Sequence, residues 1–212
     1  MPGQHRCSMY REGTVTTRDG VAGNARLTGG GAVALLVLLA AEGLTIPFIG
    51  PLVGAHVFIG MLLIPPVLLK LGSTGYRFAR YYTGSPPYRR KGPPSLPMRV
   101  LAPGVVLATV ALFATGVALT LAGPEDGGSL KFLHKASFIA WFALMTVHVL
   151  GHILELPALA LPDWRRGGGR EAALAGSGLR LTLLGASVVA GFALALVTIS
   201  IADPWLSAVL GG

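Results

Sequence analysis

The stretch VLAPGVVLATVALFATGVALTLA, residues 100–122, contains no ionisable side chain. As a helix it would extend about 35 Å at 1.5 Å per residue, enough to cross the roughly 30 Å of hydrocarbon in a bilayer. The run LTLLGASVVAGFALALVTISIA, residues 181–202, has the same character, and three further apolar runs of spanning length cover 31–49, 52–72 and 132–156. The whole chain is 52% hydrophobic and 12% charged with mean hydropathy +0.65, too poor in charge for a soluble domain of 212 residues. These features predict an all-α integral membrane protein of about five transmembrane helices. Residues 1–30 are expected as a flexible cytoplasmic N-terminal tail, 31–203 as the bundle and 204–212 as a short extracytoplasmic C-terminal tail.

The formal net charge of +8 is distributed by topology. Of the 17 basic residues, 14 fall before the first run (Arg6, Arg11, Arg18, Arg26), between the second and third (Arg77, Arg80, Arg89, Arg90, Lys91, Arg99) or after the fourth (Arg165, Arg166, Arg170, Arg180). The alternate loops hold Glu125, Asp126, Lys131 and Asp203. The positive-inside rule then puts the N-terminus in the cytoplasm of a multi-pass plasma-membrane protein. The same distribution argues against nucleic acid as a partner and for the lipid bilayer. Reading the first run as a cleaved signal peptide is disfavoured by its continuation through Ile49 and by the long stretch before it.

Cys7 is the only cysteine, which excludes an internal disulfide, a thiolate zinc cluster and covalent haem attachment through paired cysteines. There is no Walker loop, dinucleotide glycine fingerprint, HExxH or GxSxG. The segment 73–99, with SPPYRRKGPPSLP, is expected as a stiff extended connector. Trp164 and Trp205, near span ends, suit the interfacial belt.

Four of the five histidines lie within the apolar runs: His56 in the second, and His134, His148 and His152 in the fourth. An ionisable group in hydrocarbon needs a partner, a proton path or a metal. His134 and His148 are separated by fourteen residues, which on a helix returns to within about 40° of one face about 21 Å further along. His152 follows one turn beyond His148. The second and fourth runs should be parallel, and His56 and His134 lie at similar depth from their outer ends. Two neutral imidazoles converging at one level are what a six-coordinate haem iron requires.

At the inner level the counterpart of His148 is Lys70, fourteen residues after His56. Lys70 is compatible with an iron ligand, a propionate partner, an ion pair with Glu155 or snorkelling to the interface, the last being the most common behaviour. Pro65 and Pro66 are expected to bend their helix and turn Lys70 from the bundle. Glu42, about 10 Å inside the first run, is suited to a hydrogen bond with a histidine, a proton relay or a structural role. Gly54, Gly60, Gly116 and Gly151 permit close approach of a flat group, though glycine is common in all membrane helices.

With HVFIG at 56–60 and LHKASFIAWFALMTVHVLGH at 133–152, the chain resembles membrane-embedded b-type cytochromes, including cytochrome b561-like proteins and the cytochrome b subunits of dehydrogenases. The resemblance covers roughly residues 50–156. It implies a four-helix haem-binding bundle as core, and noncovalent haem b: one at His56 and His134, a second involving His148, with His152 and Lys70 at the inner level. It also implies electron transfer between a quinone and a soluble or peripheral redox enzyme. Lys70 departs from the four-histidine pattern of two-haem members. Two other classes stay open: a proton- or substrate-conducting protein using these His, Lys and Glu side chains, and a structural membrane subunit without cofactor.

Overall fold

A computed structural model describes residues 4–93, 95–155, 157 and 176–210, with side chains described between residues 20 and 209. Every regular element among these residues is helical. Helix α1 is Gln4–Thr45, α2 Ile49–Tyr82, α3 Pro86–Lys91, α4 Leu96–Asp126, α5 Gly128–His152, α6 Ser177–Thr198 and α7 Asp203–Leu210, with 3-10 turns at Ile46–Phe48 and Ile199–Ala202. Trp164, Arg165, Arg166 and Arg170 lie outside the described residues, as do the side chains of Arg6, Cys7, Arg11 and Arg18.

Four helical stretches are long and apolar enough to cross a membrane: Gly20–Tyr82, Leu96–Asp126, Gly128–His152 and Ser177–Val209. Large apolar side chains point outward along them, including Leu107, Ile139 and Val197, as a bilayer solvent demands. The first stretch contains a chain reversal. Pro47 lies in the 3-10 turn and Phe48 leaves helical geometry at φ −121°, ψ 35°. On either side of it, Thr28 meets Lys70 and Ser73, and Glu42 meets His56. These pairs centre on residues 49 to 51, so α1 and α2 form an antiparallel hairpin.

Several element boundaries differ from the sequence reading. Helix α1 is already formed well before residue 31, because its early turns dock on α2: Asn24 Nδ2 donates to the Ser73 carbonyl (3.1 Å), and Thr28 Oγ1 lies 3.0 Å from Ser73 Oγ. Helix α2 runs ten residues past its apolar run, and the expected extended connector holds α3. Pro86 and Pro87 open that helix, where a missing amide proton costs nothing. Burial and repulsion from Arg77 pull Lys91 below the usual lysine range, with Glu155 acting against them, and α3 packs against α2 and α1. The expected C-terminal tail contains α7. Its Trp205 Nε1 donates to the Thr120 carbonyl (3.4 Å), and Lys131 Nζ lies 4.8 Å from the Trp205 ring centre.

Helices associate in lipid through packing and hydrogen bonds rather than through apolar burial. Helix α6 lies directly against α2, with Gly191 under the Leu62 backbone. Met61, Leu62 and Ala195 form the core there, joined by Leu38, Val57, Phe58, Ile64 and Val117. Helices α4 and α5 make a second hairpin, in which buried Trp141 donates from Nε1 to Thr109 Oγ1 at 3.1 Å. Trp141→Phe should therefore cost about 1 kcal/mol, read by thermal unfolding in detergent. Helix α4 bridges the two groups through its contacts with α2 and α7.

Candidate functional site

His56 stands in the second turn of α2 and His134 in the second turn of α5. Their ring centroids are 6.3 Å apart with planes at 80°. Fourteen residues on in both helices, Lys70 and His148 are again within electrostatic range. Helices α2 and α5 therefore run in the same direction, with the one ring contact between them at His56 and His134 among the described residues.

Hydroxyl and carboxyl groups surround the outer pair. Thr45 Oγ1 donates its one proton to the Glu42 carbonyl at 2.6 Å, so towards His56 Nδ1, 2.8 Å away, it presents a lone pair. Glu42 Oε1 lies 3.0 Å from the same nitrogen. Both contacts to His56 are made at Nδ1, and they set the direction of the ring. On α4, Thr115 Oγ1 donates to the Ala111 carbonyl at 2.7 Å and lies 3.2 Å from His134 Nδ1. His134 is contacted at the same nitrogen, with the Leu112 backbone and the Ser137 hydroxyl completing its surroundings. Each imidazole is oriented through Nδ1, the arrangement by which outer partners orient metal-ligating histidines.

The four glycines named from the sequence separate by position. A Cβ on Gly116 would come within 3.0 Å of His134 Cε1, and one on Gly60 within 3.6 Å of Glu42 Oε1. Gly54 faces Leu206 and Gly151 faces Met98, away from the outer pair. Phe58 stacks edge-on against Phe192, and Phe138 packs with Trp141 and Phe142, as ordinary helix contacts.

At the inner level, Lys70 Nζ donates to the Thr28 carbonyl at 2.8 Å. It points into the α1–α2 seam, and the expected turn away from the bundle is not seen, because α2 stays helical through Pro65 and Pro66. The Lys70–Glu155 ion pair is not formed among the described residues; Glu155 Oε2 instead lies 3.4 Å from His152 Nδ1. The His148 and His152 rings are 5.0 Å apart, and the buried His148 Nδ1 has no hydrogen-bond partner among the described residues.

No family model matches the chain, and neither curated proteins nor solved structures show significant similarity to it. Function rests on the site alone. No group of three or more His, Cys, Asp or Glu among the described residues is arranged to hold a metal ion. The outer pair supplies two nitrogens only, so a metal there needs its other ligands from a cofactor.

Thr45 and Thr115 are the functional residues that sequence reasoning missed. In a helical hairpin, residues equidistant from the turn face each other. Thr115 and His134 are so placed about the Gly123–Gly127 turn, but that signal needs the turn position first.

Proposed function

We propose that this chain is a membrane b-type cytochrome holding one noncovalent haem b between His56 and His134. The observation that carries the reading is the convergence of the two rings: they come from two different helices, each is contacted at Nδ1 by a threonine hydroxyl, and their centroids are 6.3 Å apart. Two imidazole–metal bonds of about 2 Å plus the two half-rings give roughly 6 Å, so the separation suits two axial ligands of one iron. Gly116 lets the His134 ring lie close against α4, and Gly60 makes room for the Glu42 carboxyl beside His56. A haem bound there supplies reversible one-electron exchange. The protein's part is to hold the imidazoles in register, exclude water with the α1, α2 and α6 core, and fix ring orientation through Thr45, Glu42 and Thr115. A membrane quinone and a soluble or peripheral redox enzyme are the exchange partners we assign to it.

Within this reading the reversal at Ile46–Phe48 makes two crossings of the first stretch, giving five in total with the N-terminus in the cytoplasm of a plasma-membrane protein. Cys7, the only thiol, tests that directly. A membrane-impermeant maleimide should label inverted vesicles and leave right-side-out vesicles unlabelled; the reverse result overturns the orientation.

The test of the haem reading is the reduced-minus-oxidised visible spectrum of purified protein, with haem-to-protein stoichiometry. One haem per chain is expected, retained in Lys70→Met and His148→Ala; two haems would assign the inner level a haem as well. A colourless preparation from haem-replete cells would sink the reading. It would favour the second one, a proton-conducting protein, which draws on the partnerless buried atoms Glu42 Oε2 and His148 Nδ1.

A further inference from the structure

We propose that the reversal joining α2 to α3 is a binding site for the phosphodiester headgroup of an anionic phospholipid, formed by Arg77 and Arg80 of α2 and Lys91 of α3. The site lies at the opposite end of α2 from His56 and does not depend on the haem reading.

The chain gathers these cations by folding back on itself. Past Tyr82 the helix ends in a tight turn: Gly84 takes φ +87°, the Ser85 amide donates to the Arg80 carbonyl at 3.0 Å, and Arg80 Nη2 donates to Ser85 Oγ at 3.2 Å. The turn returns α3 alongside α2, where Tyr88 is buried and meets Tyr76 edge-on, with ring centroids 6.0 Å apart. Lys91 follows Tyr88 by three residues and so shares its face of α3, whereas Arg89 and Arg90 project from the other sides and are exposed. Arg77 acts on both Lys91 and the Tyr88 hydroxyl, and Arg80 acts on that hydroxyl as well. Among the described residues, Glu155 is the one acid that acts on this group.

Three cations facing one carboxylate leave an excess of positive charge that the fold holds in place. Phosphate oxygens suit it, since a planar guanidinium presents paired donors to them. Depth identifies the source of the phosphate. The apolar run of α2 ends at residue 72, so Arg77 stands about 8 Å beyond it by helical rise, at the level of the lipid headgroups. Tyr76, Phe78 and Tyr82 are exposed around the same level, as aromatic side chains are at a membrane–water boundary. An acidic soluble protein could reach these cations only through that layer, whereas a lipid phosphate already occupies it.

The experiment uses the full-length protein in detergent, with lipid binding read by native mass spectrometry and stability by thermal unfolding. Phosphatidylglycerol, phosphatidylcholine and inorganic phosphate are added separately. Wild type should bind phosphatidylglycerol at least about tenfold more tightly than phosphatidylcholine and rise in melting temperature with the former alone. The Arg77→Gln, Lys91→Gln double variant should lose that preference. Arg89→Gln with Arg90→Gln removes the same charge from the same loop and should keep it. Equal binding of the two lipids by wild type, or an equal loss in the two double variants, overturns the proposal. The first of these needs no variant, so a folding defect leaves the proposal open to refutation. Stabilisation by inorganic phosphate as large as that by phosphatidylglycerol would make the group a free-anion site. Binding of polyglutamate in place of lipid would make it a docking site for an acidic protein, and either result overturns the lipid assignment.

Discussion

His134→Ala, like His56→Ala, should bind haem at least about tenfold more weakly than wild type, a loss of about 1.4 kcal/mol or more, and purify without the absorbance of a six-coordinate b-type haem. The expectation follows from the geometry of the outer pair. Each ring supplies one Nε2 to a shared centre, and nothing else at that level replaces it, since Thr45, Thr115 and Ser137 offer hydroxyls already committed to backbone carbonyls. His152→Ala is the control. Its ring lies five turns along α5 from His134 and pairs with Glu155, so haem content should stay as in wild type. Because alanine at position 134 leaves a cavity of about one imidazole, added imidazole should restore part of the spectrum, which a folding defect would not allow. Normal haem content in both single variants would show the ligand assignment to be wrong.

Gly191→Val should be the most damaging apolar substitution in the bundle. The Cβ of any larger residue at 191 would run into the carbonyl group of Leu62, a backbone obstacle that cannot rotate aside. Helix α6 would have to withdraw from α2, opening the seam where Ala195 is fully buried and Met61 and Leu62 pack. Overpacking of this kind costs about 1–3 kcal/mol when neighbours can move and more when they cannot. The loss is hard to recover in lipid, where close contact between helices supplies what apolar burial supplies in water. Thermal unfolding in detergent should show a clear drop in midpoint for Gly191→Val, against little change for Gly185→Ala, whose Cβ would meet open space.

The contrast between those two glycines shows where sequence reading stops. Both belong to the same apolar run and look alike in composition, yet one lies under a carbonyl and the other faces outward. Gly116 and Gly151 divide in the same way, the first against His134 and the second against Met98. Helical periodicity placed His134, His148 and His152 on one stripe because they share one helix, and any two residues on a helix have a fixed angular relation. Lys70 was open for the opposite reason. Its direction depends on which groups α1 presents, and the Thr28 carbonyl that receives its ammonium is available only because α1 folds back along α2. The prolines at 65 and 66 suggested a different direction, but α2 continues as helix through them and Lys70 reaches the Thr28 carbonyl.

Composition and apolar run length alone dictated a helical chain for the bilayer, since a backbone in hydrocarbon must satisfy its own hydrogen bonds and helices do so within one segment. Tertiary structure alone decided which groups meet each imidazole at Nδ1. That depends on threonine hydroxyls and a carboxyl group brought from other helices to within 3.2 Å, and such contacts between distant residues leave no periodicity along the chain.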